Sequence, residues 1–216
     1  MVKNPYKGKF VVFEGIDLSG RSEQHARIRN ILRADFPEFN AIYLKEPVDP
    51  EIYQILNRKH SSYDLSKMHP FEFQCWCFRD RVLDYKRNIL PALERGESVI
   101  MDRGPLSVVS GAIEVSEIGH LMEMQNQFFL GAEVPFIWPD ATIIFDIPID
   151  IFVERAVKIS KSRDQFEDLP LKQKQVKDNY LFAAAEYSGC FIIDGNREQK
   201  VVFDDVWKIL CRTLPL

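Results

Sequence analysis

The sequence predicts an α/β fold, with helices packed around a parallel sheet, and three observations carry that expectation. Short apolar runs alternate with longer segments of helical period through the chain. A glycine-bearing stretch, Gly15-Ile16-Asp17-Leu18-Ser19-Gly20-Arg21-Ser22, falls where one such run gives way to a helix. A second run, Val99-Ile100-Met101, ends in Asp102-Arg103, an acid and a base at the strand end where α/β folds bind their ligands.

Each element follows from its own stretch of sequence. Phe10 to Glu14 (FVVFE) reads as a buried strand, Glu23 to Ala34 as a helix and Ala41 to Leu44 as a second strand, together a first β-α-β unit. Pro70 suits the first turn of a long helix that runs through Phe78, Val82, Tyr85 and Leu93 until Gly96 ends it. Ser98 to Met101 is the next strand. Two helical stretches, about Leu106 to Ile118 and His120 to Leu130, precede the strand Ala141 to Phe145, and Pro148 leads into a helix from Ile149 to Lys158. Ile159 to Pro170 is charged and lacks apolar periodicity. A helix from Leu171 to Ala185, a strand from Cys190 to Ile193 and a helix from Lys200 to Cys211 close the chain.

No repeat, low-complexity tract or Gly/Ser-rich linker divides the 216 residues, so they read as one domain. A hydrophobic content of 46% with 28% charged residues places the chain among globular proteins and outside the disordered classes. The net charge of -4 gives no general attraction to nucleic acid or to an anionic membrane, and neither is an expected partner. Met1 to Lys9 lacks the apolar core of a signal peptide, and no apolar run approaches the roughly 18 residues that span a bilayer, so a cytoplasmic protein is expected. Cys75, Cys77, Cys190 and Cys211 have no paired spacing for zinc and read as free thiols, and the four histidines have no metal-ligand spacing.

The stretch from Gly15 to Ser22 has the spacing of a P-loop with arginine in the lysine position. Successive backbone N–H groups and a helix N-terminus there suit a polyphosphate, and the Ser22 hydroxyl suits magnesium. Asp102 is the matching candidate to hold magnesium through water, and Arg103 a candidate for a bidentate phosphate contact.

In this order and spacing the segments resemble the thymidylate kinase family, within the wider nucleoside and nucleotide kinases of P-loop fold. Phe10 to Asp17 followed by Gly20-Arg21-Ser22 and Gln24 resembles the family's opening strand and loop, and Lys45-Glu46-Pro47 its Arg-Glu-Pro segment. Asp80-Arg81, Pro91-Ala92-Leu93 with Gly96, Asp102-Arg103 with Ser107, and Arg163-Asp164-Gln165-Phe166-Glu167 in the lid keep the family's order, as do Ile192-Ile193-Asp194 and Val206 to Leu210. The resemblance implies a five-stranded parallel sheet flanked by helices, a lid at about residues 159–170, ATP and Mg2+ as cofactors, and usually a homodimer. The implied reaction is phosphoryl transfer from ATP to a nucleoside monophosphate, dTMP to dTDP above all. ATP falls to Gly15, Asp17, Ser19, Gly20, Arg21 and Ser22, the metal to Ser22 and Asp102, and catalysis to Arg21, Asp102 and Arg163. The acceptor falls to Glu46, Arg81, Arg103 and Ser107, with Trp76 or Phe78 beside the base.

This chain departs from the family's pattern at chemically sensitive positions. Arg21 stands in place of the P-loop lysine, so the lid is expected to supply a further cation from Arg155, Lys158, Lys161 or Arg163. The family's base-stacking phenylalanine is Cys77, and its Ala-Tyr-Gln is Ser110-Gly111-Ala112, which predicts weak selection of thymine. Glu46-Pro47-Val48 and Phe73-Gln74 with Arg81 resemble the deoxynucleoside kinases, an alternative reading, and a nucleotide-binding protein without turnover is another. The apolar segment Glu114 to Phe129 serves either as a dimer seam or as core.

Overall fold

A computed structural model describes residues 1–56, 68–159 and 169–216. In chain order the elements are β1 (Val2–Lys3), β2 (Phe10–Gly15), α1 (Arg21–Asp35), β3 (Ala41–Lys45), α2 (Pro50–Leu56), α3 (Pro70–Asp84), α4 (Leu90–Glu94) and β4 (Ser98–Asp102). They continue with α5 (Ile118–Gly131), β5 (Ile137–Trp138), β6 (Ala141–Asp146), α6 (Ile149–Ile159), α7 (Leu169–Glu186), β7 (Cys190–Asp194) and α8 (Gln199–Thr213). The expected five-stranded parallel sheet is present, in the order β3-β4-β2-β6-β7, and β1 pairs with β5 in a separate ribbon.

Strand β2 is buried along its length, and apolar from Phe10 to Phe13, because it is central and covered on both faces. Its side chains alternate, with Val11 and Phe13 packing among Ile28 and Leu32 of α1 and Val206 and Leu210 of α8. Phe10 and Val12 pack on the opposite face among Tyr85, Ile89, Phe129 and Phe136. The carboxyl ends of β2, β3 and β4 meet at one rim, where Phe13 pairs with Asp102 and Asp102 with Lys45.

Several expectations need correction. The strands of the first β-α-β unit are not neighbours, because β4 lies between them. The long helix from Pro70 is interrupted by a π-turn at Tyr85–Ile89, where Leu90 N–H bonds to the Tyr85 carbonyl. Pro91 accounts for it: lacking an N–H and needing room at the carbonyl four residues back, it is accommodated by the wider turn. The stretch from Leu106 is a 3-10 helix, Pro105–Gly111, followed by a second short one, Val115–Glu117, rather than an α-helix. Asn179 Nδ2 donates to the Val109 and Ala112 carbonyls at 3.0 Å each, so a residue of α7 satisfies backbone acceptors there. Helix α2 and the β1-β5 ribbon are too short to have left a periodic signal.

In α5, Ile118, Met122, Gln125 and Phe129 are buried, so this face of the segment is core, while Leu130 is exposed. Phe129 stacks on Phe136 with ring centroids 4.3 Å apart and meets Tyr85 edge-on at 4.7 Å. Phe129→Ala should lower unfolding stability by about 3–5 kcal/mol, measured by urea denaturation, because Phe129 is buried between Tyr85, Phe136 and the face of β2 and its removal leaves a cavity there. A loss below about 1 kcal/mol would show that this aromatic cluster is loosely packed.

Candidate active site

The loop after β2 owes its path to local backbone chemistry. Gly15 has φ +135°, and a Cβ there would lie 2.5 Å from the Phe145 carbonyl oxygen, so only glycine fits between β2 and β6. Gly20, at φ +93°, caps α1 and turns the chain into the helix. The first residues of α1 then face the end of β4. Arg21 Nε donates to Asp102 Oδ1 and Arg21 Nη1 to the Gly15 carbonyl at 2.6 Å. Ser22 Oγ donates to Asp102 Oδ2 at 2.5 Å. Lys45 Nζ lies 3.4 Å from both Asp102 Oδ2 and Ser22 Oγ. Burial opposes the charge of Asp102, but Arg21, Ser22 and Lys45 outweigh it and hold the carboxyl below its usual range.

Arg21, which the resemblance assigns to ATP and to catalysis, is directed at Asp102 and the Gly15 carbonyl. Its side chain is only 7% exposed and is turned inward. A guanidinium has several donors in a planar fork, so it can serve a carboxylate and a carbonyl together, and here that geometry draws it into the wall of the loop.

Arg103 points the other way. Its backbone is left-handed at φ +71°, and Nη2 donates to Asp17 Oδ1 at 2.6 Å. Asp17 is tied in turn to Gln173 of α7 through both its N–H and its carboxylate. Beneath this pair lies Glu14, which sequence reasoning did not single out. The Gly104 N–H donates to its Oε1 at 2.9 Å, while the hydroxyls of Ser107 and Tyr180 donate to Oε2 at 2.7 and 2.8 Å. Burial raises the pKa of Glu14 despite these donors and the nearby arginines. Ser107, expected near the acceptor, is thus turned toward Glu14.

On the opposite side of the rim, Arg81 is buried and pairs with Glu46 in a fork, Nε to Oε1 at 2.7 Å and Nη2 to Oε2 at 2.6 Å. Arg81 Nη1 also donates to Gln125 Oε1, and Gln125 Nε2 to the Pro105 carbonyl. Glu46 and Arg81 are therefore brought together, and Arg103 lies toward the loop with Asp17. Phe78 is fully buried in core contact with Phe128, so it presents no surface to a base, whereas Trp76 is half-buried beneath the Arg79 guanidinium. Cys77 sits where burial pushes its thiol up to about 12. Gln74 is buried with its amide over Gly111, where a Cβ would collide with Nε2.

A cleft of about 500 Å³ opens on the outer side of the loop, lined by Ser19, Gly20, Arg155, Lys158, Gly195 and Arg197 among others. Arg155 donates to the Leu18 carbonyl at 2.7 Å and to the Gly195 carbonyl at 3.1 Å, closing one wall. The Ser19 hydroxyl is buried with no partner among the described residues. Lys161 and Arg163, and with them the lid expected at about 159–170 except for its ends, lie outside the described residues.

A parallel five-stranded sheet, a glycine-bearing loop running into a helix, and an aspartate at the adjoining strand end define a P-loop-type α/β nucleotide-binding protein. Residues 13–206 match the thymidylate kinase family model. The chain belongs to the thymidylate kinase family. The thymidylate kinase of Dinoroseobacter shibae is 30% identical over 204 residues, covering 92% of this chain and 94% of that relative. The probable thymidylate kinase of Pyrococcus abyssi is 29% identical over 206 residues, covering 93% of this chain and 94% of that relative. The crystal structure of thymidylate kinase from Ehrlichia chaffeensis matches with a TM-score of 0.67 at 20% identity, over 94% of this chain and 98% of that one, a likeness of fold.

Beside Arg81 the helix α3 carries two buried acids. Asp80 accepts from the Val48 and Asp49 N–H groups, and burial pushes it up to about 6. Asp84 accepts from Asn88 at 2.7 Å, its second oxygen has no partner among the described residues, and burial pushes it up to about 7. An unfolded aspartate titrates near 3.9, so between about pH 4 and 7 the folded chain holds the extra proton and stability falls as pH rises through that window. Asp84→Asn should remove its share of this slope, raising stability at pH 8 by roughly 1–3 kcal/mol while leaving it little changed at pH 4. Urea unfolding at the two pH values measures this, and an equal effect at both would contradict it.

Proposed function

We propose that this protein transfers the γ-phosphoryl group of ATP to a deoxynucleoside monophosphate, dTMP above all, giving ADP and dTDP. The observation that carries the reading is the rim where the glycine loop, Ser22 and Asp102 lie within hydrogen-bonding reach, with Arg103 beside them on the same strand end. The names of the relatives support the same reaction.

In this reading the phosphates of ATP lie along Gly15 to Ser22, with Asp17 at the edge toward the acceptor. The residues fit such a group: Ser19 offers a hydroxyl without a partner among the described residues, and the space above Gly20 is open. Magnesium also fits, because an adjacent hydroxyl and ionised carboxylate, Ser22 and Asp102, suit an ion that takes few protein oxygens. Bound there, it would neutralise charge on the phosphates. Arg103 is the acceptor's phosphate ligand. Glu46 and Arg81 form the far wall, Trp76 is the aromatic nearest to hand for the base, and Ser107 shapes the loop below. Phe78 has no place in this site. Arg163 in the lid completes the charge on the transferring group. The reading further takes residues 1–216 as one kinase domain, cytoplasmic and homodimeric; free thiols at all four cysteines agree with a reducing compartment.

A second reading, phosphorylation of a deoxynucleoside, draws on one observation: Gln74 fills the space left by Gly111. A coupled assay of ADP formation with nucleosides and monophosphates separates the two, and the expected result is turnover with dTMP and only weak preference over other pyrimidine monophosphates. Preference for the nucleoside would favour the second reading; ATP binding without any turnover would leave a nucleotide-binding protein. Gly20→Val should weaken ATP binding at least about tenfold by calorimetry, because a β-branched residue is strained at φ +93°. Unchanged affinity would place the phosphates elsewhere.

A further inference from the structure

The inference rests on the kinase reading above and concerns which cation follows the phosphoryl group in transit. The P-loop position that ordinarily supplies it holds Arg21, and Arg21 is committed elsewhere: its side chain is 7% exposed, with Nε on Asp102 and Nη1 on the Gly15 carbonyl. Reaching a phosphate would leave a buried carboxylate and a carbonyl without that partner. Arg103 is likewise engaged with Asp17, and Arg155 with the Leu18 and Gly195 carbonyls.

Lys45 is placed differently. It ends β3, directly opposite Asp102 in the register, and the pairing is extended by Glu46 N–H donating to the Asp102 carbonyl at 3.1 Å. Glu46 itself is held by Arg81, so it does not draw the ammonium away from the rim. The Lys45 side chain is 62% exposed, and among the described residues its ammonium has 3.4 Å contacts with Ser22 Oγ and Asp102 Oδ2. A compact ammonium on a flexible stem can move with a migrating group, where a buried planar fork cannot.

We propose that the phosphoryl-following charge of the loop has moved to the neighbouring strand: Lys45 takes over the role of the P-loop cation beside the lid's Arg163, and Arg21 is a positioning residue that holds Asp102 and the loop. A phosphate oxygen of the monophosphate forms its bond to the γ-phosphorus as the bond from that phosphorus to the β-phosphate oxygen breaks. Lys45 stays protonated throughout and neutralises charge on the non-bridging oxygens between donor and acceptor.

The test compares Lys45→Ala, Lys45→Arg and Arg21→Lys in the full chain by steady-state kinetics, with circular dichroism to confirm folding. Lys45→Ala should lower kcat about 100-fold with KM for the acceptor changed by less than about threefold, and Lys45→Arg should restore part of the rate. Arg21→Lys should lower the melting temperature without raising kcat. A Lys45→Ala enzyme with kcat within threefold of the original, a loss confined to acceptor KM, or a faster Arg21→Lys enzyme would each overturn the proposal. If the unaltered protein turns over no acceptor, the kinase reading fails, and Lys45 is still tested by ATP binding in EDTA. There Lys45→Ala should weaken affinity about tenfold, as loss of a charge-assisted contact does. Equal affinity would reject Lys45 as a phosphate-facing cation.

Discussion

The ion pair between Arg21 and Asp102 is the constraint on which the rest of this site depends. A carboxylate only 1% exposed at the end of a central strand is costly unless its charge is matched and its oxygens are bonded. Asp102 meets both conditions by drawing three donors from two elements: the guanidinium and hydroxyl that open α1, and the ammonium that ends β3. The same guanidinium reaches back to the Gly15 carbonyl, so the loop, helix α1 and strand β4 are fixed relative to one another by a single side chain. The depressed pKa of Asp102 follows from this crowding of donors and keeps the carboxylate ionised, the form a metal requires.

Glu14 has a similar role deeper in the sheet. It gathers the Gly104 N–H, the Ser107 hydroxyl and the Tyr180 hydroxyl, and so joins β2, the segment after β4 and helix α7. With the strand end held from below, Arg103 can adopt its left-handed backbone and aim at Asp17. Two arginines therefore leave the same rim in opposite directions, Arg21 into the protein and Arg103 along its surface. The consequence is a division of labour: buried positive charge orders the loop, while Lys45 and Arg103 remain at the rim, where the proposed reaction would bring anionic groups.

The acceptor wall is unusually self-contained. Arg81 donates to Glu46 and Gln125 from all three of its nitrogens, and the pKa of Arg81 is raised because the Glu46 carboxylate outweighs the burial that opposes its charge. The Gln74 amide occupies the space over Gly111, where a Cβ would collide with it. Such a wall offers shape and one amide rather than a set of unpaired polar groups, which is why the proposed reaction is expected to discriminate weakly between pyrimidines.

Sequence alone determined the framework. Runs such as FVVFE and SVIM have no choice but to be central strands, because only a position covered on both faces buries consecutive apolar side chains. Gly15, Gly20, Ser22 and Asp102 could be assigned to one site because backbone geometry and strand polarity are local properties. The π-turn before Pro91, the 3-10 path from Pro105 and the burial of Phe78 could not, since each answers to residues from other elements. The same holds for the orientation of Arg21. Its spacing places it in the loop, but whether a guanidinium reaches outward to phosphate or inward to a carboxylate depends on Asp102, 81 residues away in the chain and within hydrogen-bond contact in the fold. Composition and periodicity fix where the chain runs; the direction of a long charged side chain is set by whichever opposite charge the tertiary structure brings within reach.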